Sequence, residues 1–145
     1  MDERGFKNLA REYYETAVSN FNAAKTLLRE KFFSEAVFFA QQAVEKIAKA
    51  ILALAGQTVA GHEVSGWLAL EIGDKVEEPR KIIQIVSELE SYVTKSRYPF
   101  RIRNKIISPN EFFTEERTRA ILKKAEFVFE KLEKLLRERY GLGVK

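Results

Sequence analysis

From Glu35 to Ala55 the chain is apolar on almost every side of a helical wheel: Ala36, Val37, Phe38, Phe39, Ala40, Ala43, Val44, Ile47, Ala48, Ile51 and Leu52. A helix of this kind cannot lie on a surface with one wet face. It has to be surrounded, so the rest of the chain must supply helices that pack around it. Ser34 reads as its N-cap, Glu35 stands where the helix dipole favours a carboxylate, and Gly56 closes it. One polar strip interrupts the apolar surface: Gln42, Glu45, Lys46 and Lys49, at i, i+3, i+4 and i+7, within a sector of about 100°. Glu45 and Lys49 have the spacing of a favourable i, i+4 ion pair on a solvated face. On a central helix, such a strip also suits a cleft or a subunit interface.

The flanking sequence supplies the partners. Phe6, Leu9, Ala10, Tyr13, Ala17, Phe21, Ala24 and Leu28 recur at steps of three and four, which predicts a helix from about Glu3 to Arg29. Residues 57–63, with Gly61, read as a loop, and a short helix with Trp67, Leu68, Leu70 and Ile72 follows, ending near Gly73. Pro79 opens a fourth helix carrying Ile82, Ile83, Val86, Leu89, Tyr92 and Val93, which must end before Pro99. Ser108-Pro109-Asn110-Glu111 has the form of a capping turn, and Thr114-Glu115-Glu116 starts the last helix. That helix buries Ile121, Leu122, Ala125, Val128, Phe129, Leu132, Leu135 and Leu136 and stops at Gly141. No strand pattern of useful length is visible. The expectation is one all-α domain over residues 1–145: an up-and-down bundle of four to five helices, four in the core plus one short helix.

The charge balance singles out a second stretch. Lys95, Arg97, Arg101, Arg103 and Lys105 fall within eleven residues that hold no acid, whereas the whole chain has 25 Lys and Arg against 21 Asp and Glu. Without these five the remainder stands at 20 against 21, so the positive excess lies in one segment, beside Tyr98, Pro99 and Phe100. Guanidinium groups bind phosphate bidentately and keep their charge at any working pH. Tyr98 and Phe100 have the chemistry to stack on bases, and equally the shape to anchor the loop to the core. The same segment is also what a solvated connector would look like.

Several chemistries are disfavoured. There is no cysteine, which excludes disulfides and thiolate metal sites, and no serine stands in a nucleophile elbow. The seven glycines are scattered, and none precedes Lys-Ser or Lys-Thr. The one histidine, His62, has no second ligand at metal spacing and reads as a loop residue. Neither a metal nor another cofactor is expected. The start of the chain, Met1-Asp2-Glu3-Arg4-Gly5, reads as the lead into a helix rather than a signal peptide, and no apolar run reaches the roughly 20 residues of a membrane span. A cytoplasmic protein without membrane contact is the expectation.

The run Glu35-Ala-Val-Phe-Phe-Ala-Gln-Gln-Ala-Val-Glu-Lys-Ile-Ala-Lys-Ala50, the later Ser96-Arg97-Tyr98-Pro99, and the Thr114-Glu115-Glu116 helix with Ala125 resemble, in order, the HEPN family (higher eukaryote and prokaryote nucleotide-binding domain). The resemblance covers essentially the whole chain. It implies a helical bundle, a homodimer that brings two copies of the arginine motif to one cleft, and often a minimal nucleotidyltransferase as toxin–antitoxin partner. Other family members are metal-independent endoribonucleases that use an arginine followed four to six residues later by histidine. Here Ile102, Arg103 and Asn104 stand at that distance from Arg97, with no histidine, and the tyrosine that some toxins carry just beyond it is absent.

The leading expectation is therefore a dimeric helical partner of a nucleotidyltransferase, meeting nucleotide or RNA through the Arg97 loop. The alternatives are an endoribonuclease with a degenerate Arg-x6-Asn motif, with Arg97 and Asn104 catalytic and His62 a further helper, and a non-enzymatic protein-interaction module. The expected binding set is Arg97, Tyr98, Arg101, Arg103, Lys105, Gln42, Glu45, Lys46 and Lys49. Arg97 is expected to turn towards Glu45.

Overall fold

The computed structural model describes residues 1–141. In chain order these form α1 (Glu3–Arg29), α2 (Phe33–Leu54), α3 (Ser65–Ile72), α4 (Pro79–Glu90), α5 (Tyr92–Lys95), β1 (Phe100–Ile102), β2 (Lys105–Ile107), α6 (Pro109–Phe112) and α7 (Glu115–Tyr140). The protein is all-α in class, with α1, α2, α4 and α7 as the bundle and α3 as the short extra helix.

The Asp2 side chain starts α1 by accepting from Gly5 N at 2.8 Å. The helix ends in a Schellman turn: Phe32 N donates to Leu27 O at 2.8 Å and Lys31 N to Leu28 O at 3.0 Å. Lys31 takes the left-handed conformation there, φ 64°, where glycine is usual. The reversal sends α2 back along α1. Gly56, φ 82°, supplies the same turn at the end of α2, with Gln57 N donating to Leu52 O at 2.9 Å.

Four cross-links fix the directions of the other helices. Tyr14 Oη donates to Glu133 at 2.6 Å and Phe21 lies 4.9 Å from Phe129, so α7 runs antiparallel to α1. Lys124 pairs with Glu88 at 2.9 Å and Lys131 with Glu77 at 3.6 Å, so α4 runs antiparallel to α7. The four long helices therefore alternate up and down. α2 touches every other helix of the bundle, as its apolar circumference requires. Ile47, Ile51, Leu52, Leu68, Ile82, Leu89, Leu132 and Leu136 are fully enclosed around it. Burial of each contributes about 1.5–3 kcal/mol. No helix among the described residues is long and apolar enough to cross a membrane.

Three local features depart from the sequence reading. The basic segment contains a two-stranded antiparallel hairpin, Phe100 opposite Ile107, Arg101 opposite Ile106 and Ile102 opposite Lys105. Its strands are three residues each and largely exposed, too short to produce an alternating pattern. The fourth helix is interrupted at Ser91, whose hydroxyl donates to Glu88 O at 2.5 Å and competes with the helical ladder. Ser34 does not cap α2. The helix starts at Phe33, and Ser34 is a buried residue of its first turn, its hydroxyl turned to Glu35 and Asn110.

Candidate functional site

Arg97 follows α5 in a turn built on Thr94, whose carbonyl accepts from Arg97 N at 3.1 Å and Tyr98 N at 3.0 Å. The buried Ser96 secures this turn through Val93 O. Arg97 Nε also donates to Val93 O, at 3.1 Å, which fixes the side chain. Its guanidinium carbon lies 5.3 Å from the ring centres of both Phe38 and Tyr98. No carboxylate among the described residues pairs with it. The terminal guanidinium nitrogens are thus presented, unneutralised, between two aromatic rings.

Beside them is an open cavity of about 430 Å³, lined by Ser34, Glu35, Phe38 and Phe39 of α2, Ser96 and Arg97, and Pro109 and Asn110 of α6. Chain reversal at Lys31 brings the start of α2 here, and the Ser108 capping box of α6 brings Asn110. Cavities of about 400 and 500 Å³ occupy the opposite end of the bundle, around Lys131 and Leu54. Their lysines are largely satisfied: Lys131 pairs with Glu77, Lys75 with Glu71 and Lys134 with Glu138. What sets the cavity at Arg97 apart is a guanidinium held between two aromatic rings.

The five basic residues of the segment do not share one patch. Lys95 lies over the rings of Phe100 and Phe112, at 5.6 and 5.7 Å, while Phe100 meets Phe112 edge to face at 5.3 Å. Phe100 therefore anchors the hairpin, and Tyr98 is the more exposed of the two rings. Arg101, Arg103 and Lys105 are exposed along the hairpin, with Arg103 at φ 56° in its turn. Asn104 shares that exposed turn and is not among the residues lining the cavity at Arg97.

The polar strip of α2 is a connected network. Lys46 Nζ donates to Gln42 at 2.8 Å, Gln42 donates to Gln41 at 2.7 Å, and Gln41 donates to Glu45 at 3.1 Å. Lys49 pairs with Glu45 at 3.2 Å, and His62 Nδ1 stands 2.7 Å from the same carboxylate. Glu45 is only 5% exposed, so this is no solvated ion pair. Burial pushes its pKa up, but the hydrogen bonds from Gln41 and His62 and the charge of Lys49 outweigh that, and the carboxyl titrates below its ordinary value. An ionised carboxylate only accepts, so Nδ1 of His62 carries the proton in this bond. Burial also lowers the pKa of Lys46.

One expectation is corrected here. Arg97 does not reach Glu45: it is tied back to Val93 and held over Phe38, seven residues and about 10 Å earlier along α2. Glu45 is taken instead by His62, a partner 17 residues away that spacing could not supply. Gln41 was missed as part of the strip because on a wheel it belongs with the apolar residues. Its side chain is buried and bridges Gln42 to Glu45.

A sequence profile of the HEPN domain matches residues 10–135. The chain belongs to the HEPN domain family. It is similar over 98% of its length, and 98% of the relative's, to "Putative toxin MJ1304" of Methanocaldococcus jannaschii, with 33% identity. Among solved structures it resembles TT1696 from Thermus thermophilus, with a TM-score of 0.75 and 25% identity over 89% of this chain and 99% of that one. It also shares its fold with ST0689, an archaeal HEPN homologue, with a TM-score of 0.66 and 23% identity over 86% and 95%. In this HEPN chain α2 supplies both one wall of the cavity at Arg97, through Phe38, and the whole polar strip, and the sole histidine serves the strip.

Proposed function

We propose that this HEPN chain is the toxin-class, helical member of a two-component system. It forms a homodimer, meets nucleotide or RNA through the Arg97 segment, and pairs with a nucleotidyltransferase-type partner. The observation that carries the reading is the guanidinium of Arg97, buttressed by Val93 O, flanked by Phe38 and Tyr98, and in no ion pair with a carboxylate among the described residues. A cation held in place without a counter-ion is suited to bind a phosphate at little ordering cost. The toxin name of a full-length relative supports the biological class. Arg101, Arg103 and Lys105 extend the positive surface along the hairpin, and Lys46 and Lys49, with Gln42, add polar groups further along α2.

Fluorescence anisotropy of a labelled single-stranded RNA tests the reading. Arg97→Ala should weaken binding by about tenfold to a hundredfold, the loss of a charged hydrogen-bonding group, with little change in melting temperature. Equal affinity of parent and variant overturns the role of Arg97. Sedimentation at tens of micromolar should give a dimer. Co-expression with the neighbouring reading frame should yield a stable complex, and a neighbour without nucleotidyltransferase character removes that partner from the proposal.

A further inference from the structure

We infer that the cavity at Arg97 is a guanine-reading nucleotide subsite. The inference rests on the Arg97 reading above and adds to it the identity of the base. The cavity of about 430 Å³ is of nucleotide size. One wall is the half-buried ring of Phe38, braced edge-on by Phe39 at 5.3 Å, which offers a face for a base to stack on. In the same cavity the buried Ser34 hydroxyl, with one proton to give, lies between two polar side chains, 2.8 Å from Glu35 Oε1 and 3.1 Å from Asn110 Oδ1. Oε2 of Glu35 and the carboxamide nitrogen of Asn110 have no partner among the described residues. The cavity thus presents a carboxylate with Oε2 open and a lone pair left on Oε1 and, beside it, an amide N–H that donates.

The Watson–Crick edge of guanine is the complement: N1–H and N2–H donate side by side, and O6 accepts. Glu35 takes the two donors and Asn110 the carbonyl, while Arg97 at the same cavity takes the phosphate. Adenine would place its N1 lone pair against the carboxylate, and hypoxanthine lacks the N2 amine. A site built for paired hydrogen bonds rejects a base that cannot make them, because its own polar groups are then left unpaired.

Calorimetric titration of the full chain with 5′-GMP, 5′-IMP and 5′-AMP tests the assignment. GMP should bind about tenfold or more tightly than AMP, in line with the discrimination of a bidentate base contact, with IMP between them. Glu35→Gln should erase the preference, Asn110→Ala should reduce it, and Arg97→Ala should weaken all three nucleotides alike. Glu35 and Asn110 are exposed, on different helices, so a folding defect in one variant leaves the other to report. If GMP and AMP bind equally while Arg97→Ala weakens both, the base assignment is overturned and the Arg97 reading stands. If Glu35→Gln keeps the preference for GMP, or none of the three nucleotides binds at millimolar concentration, the assignment is overturned. If Arg97→Ala changes nothing, both readings fall together.

Discussion

His62 Nδ1 stands 2.7 Å from Oε1 of Glu45, which ties the loop before α3 to the buried polar strip of α2. The bond joins a half-exposed ring to a carboxylate that also holds Gln41 and Lys49.

The stability that Glu45 contributes should therefore depend on pH. Its folded pKa lies below the ordinary 4.5, so the contribution is present above that value and is lost as pH falls through the folded pKa. Glu45→Gln should lower stability at pH 7 by about 1–3 kcal/mol. Thermal melts of parent and variant should converge in acid below the ordinary carboxylate range. A difference that stays constant from pH 7 to strong acid would show that shape, not charge, is what Glu45 supplies.

Ala43 lies on α2 with 0% exposure, next to the strip but facing the core. Ala43→Glu would bury an unpaired carboxylate, a loss of several kcal/mol against a total of about 5–15. The variant should be insoluble or lose its cooperative melt. A soluble variant melting with the parent would mean that this face of α2 is not enclosed.

Glu90 holds the start of α3 from the end of α4. Its carboxylate accepts from Val64 N, Ser65 N and Ser65 Oγ, at 2.5, 2.9 and 2.8 Å, although α3 has no cap of its own. Glu90→Ala should destabilise the protein by about 1–3 kcal/mol. Amide exchange in α3 should rise more than in α2 or α7. Unchanged protection of α3 would show that Leu68 and Ile72 hold it without help.

Arg101 and Arg103 are exposed on the hairpin, away from any carboxylate partner among the described residues. If both meet phosphates, Arg101→Gln with Arg103→Gln should flatten the salt dependence of RNA affinity by about 1.4, at about 0.7 per single-strand phosphate contact. The melting temperature should barely move, since exposed charges contribute little to stability. An unchanged slope would reduce the hairpin to a solvated connector.

The long elements were legible because their causes are local. The apolar circumference of α2 and the single stripes of α1 and α7 fix helix, length and buried face by periodicity alone. Thr114 caps α7 and Gly56 closes α2 where those residue types demand. The sequence by itself also placed the excess positive charge around Arg97. It could not reveal the hairpin, whose three-residue strands carry too little pattern and are held by Phe100 against Phe112, twelve positions on.

Partners were decided by tertiary structure alone. Arg97 looked free to pair with Glu45, but side chains meet according to where the helices carry them, and α5 sets Arg97 against Phe38 while the α2–α3 loop returns His62 to Glu45. Ser34 looked like a cap, and burial against α6 turned its hydroxyl to Asn110 instead. Periodicity encodes which face of a helix is buried. Which long-range neighbour fills that face depends on the packing of the whole bundle, and no local pattern carries that information.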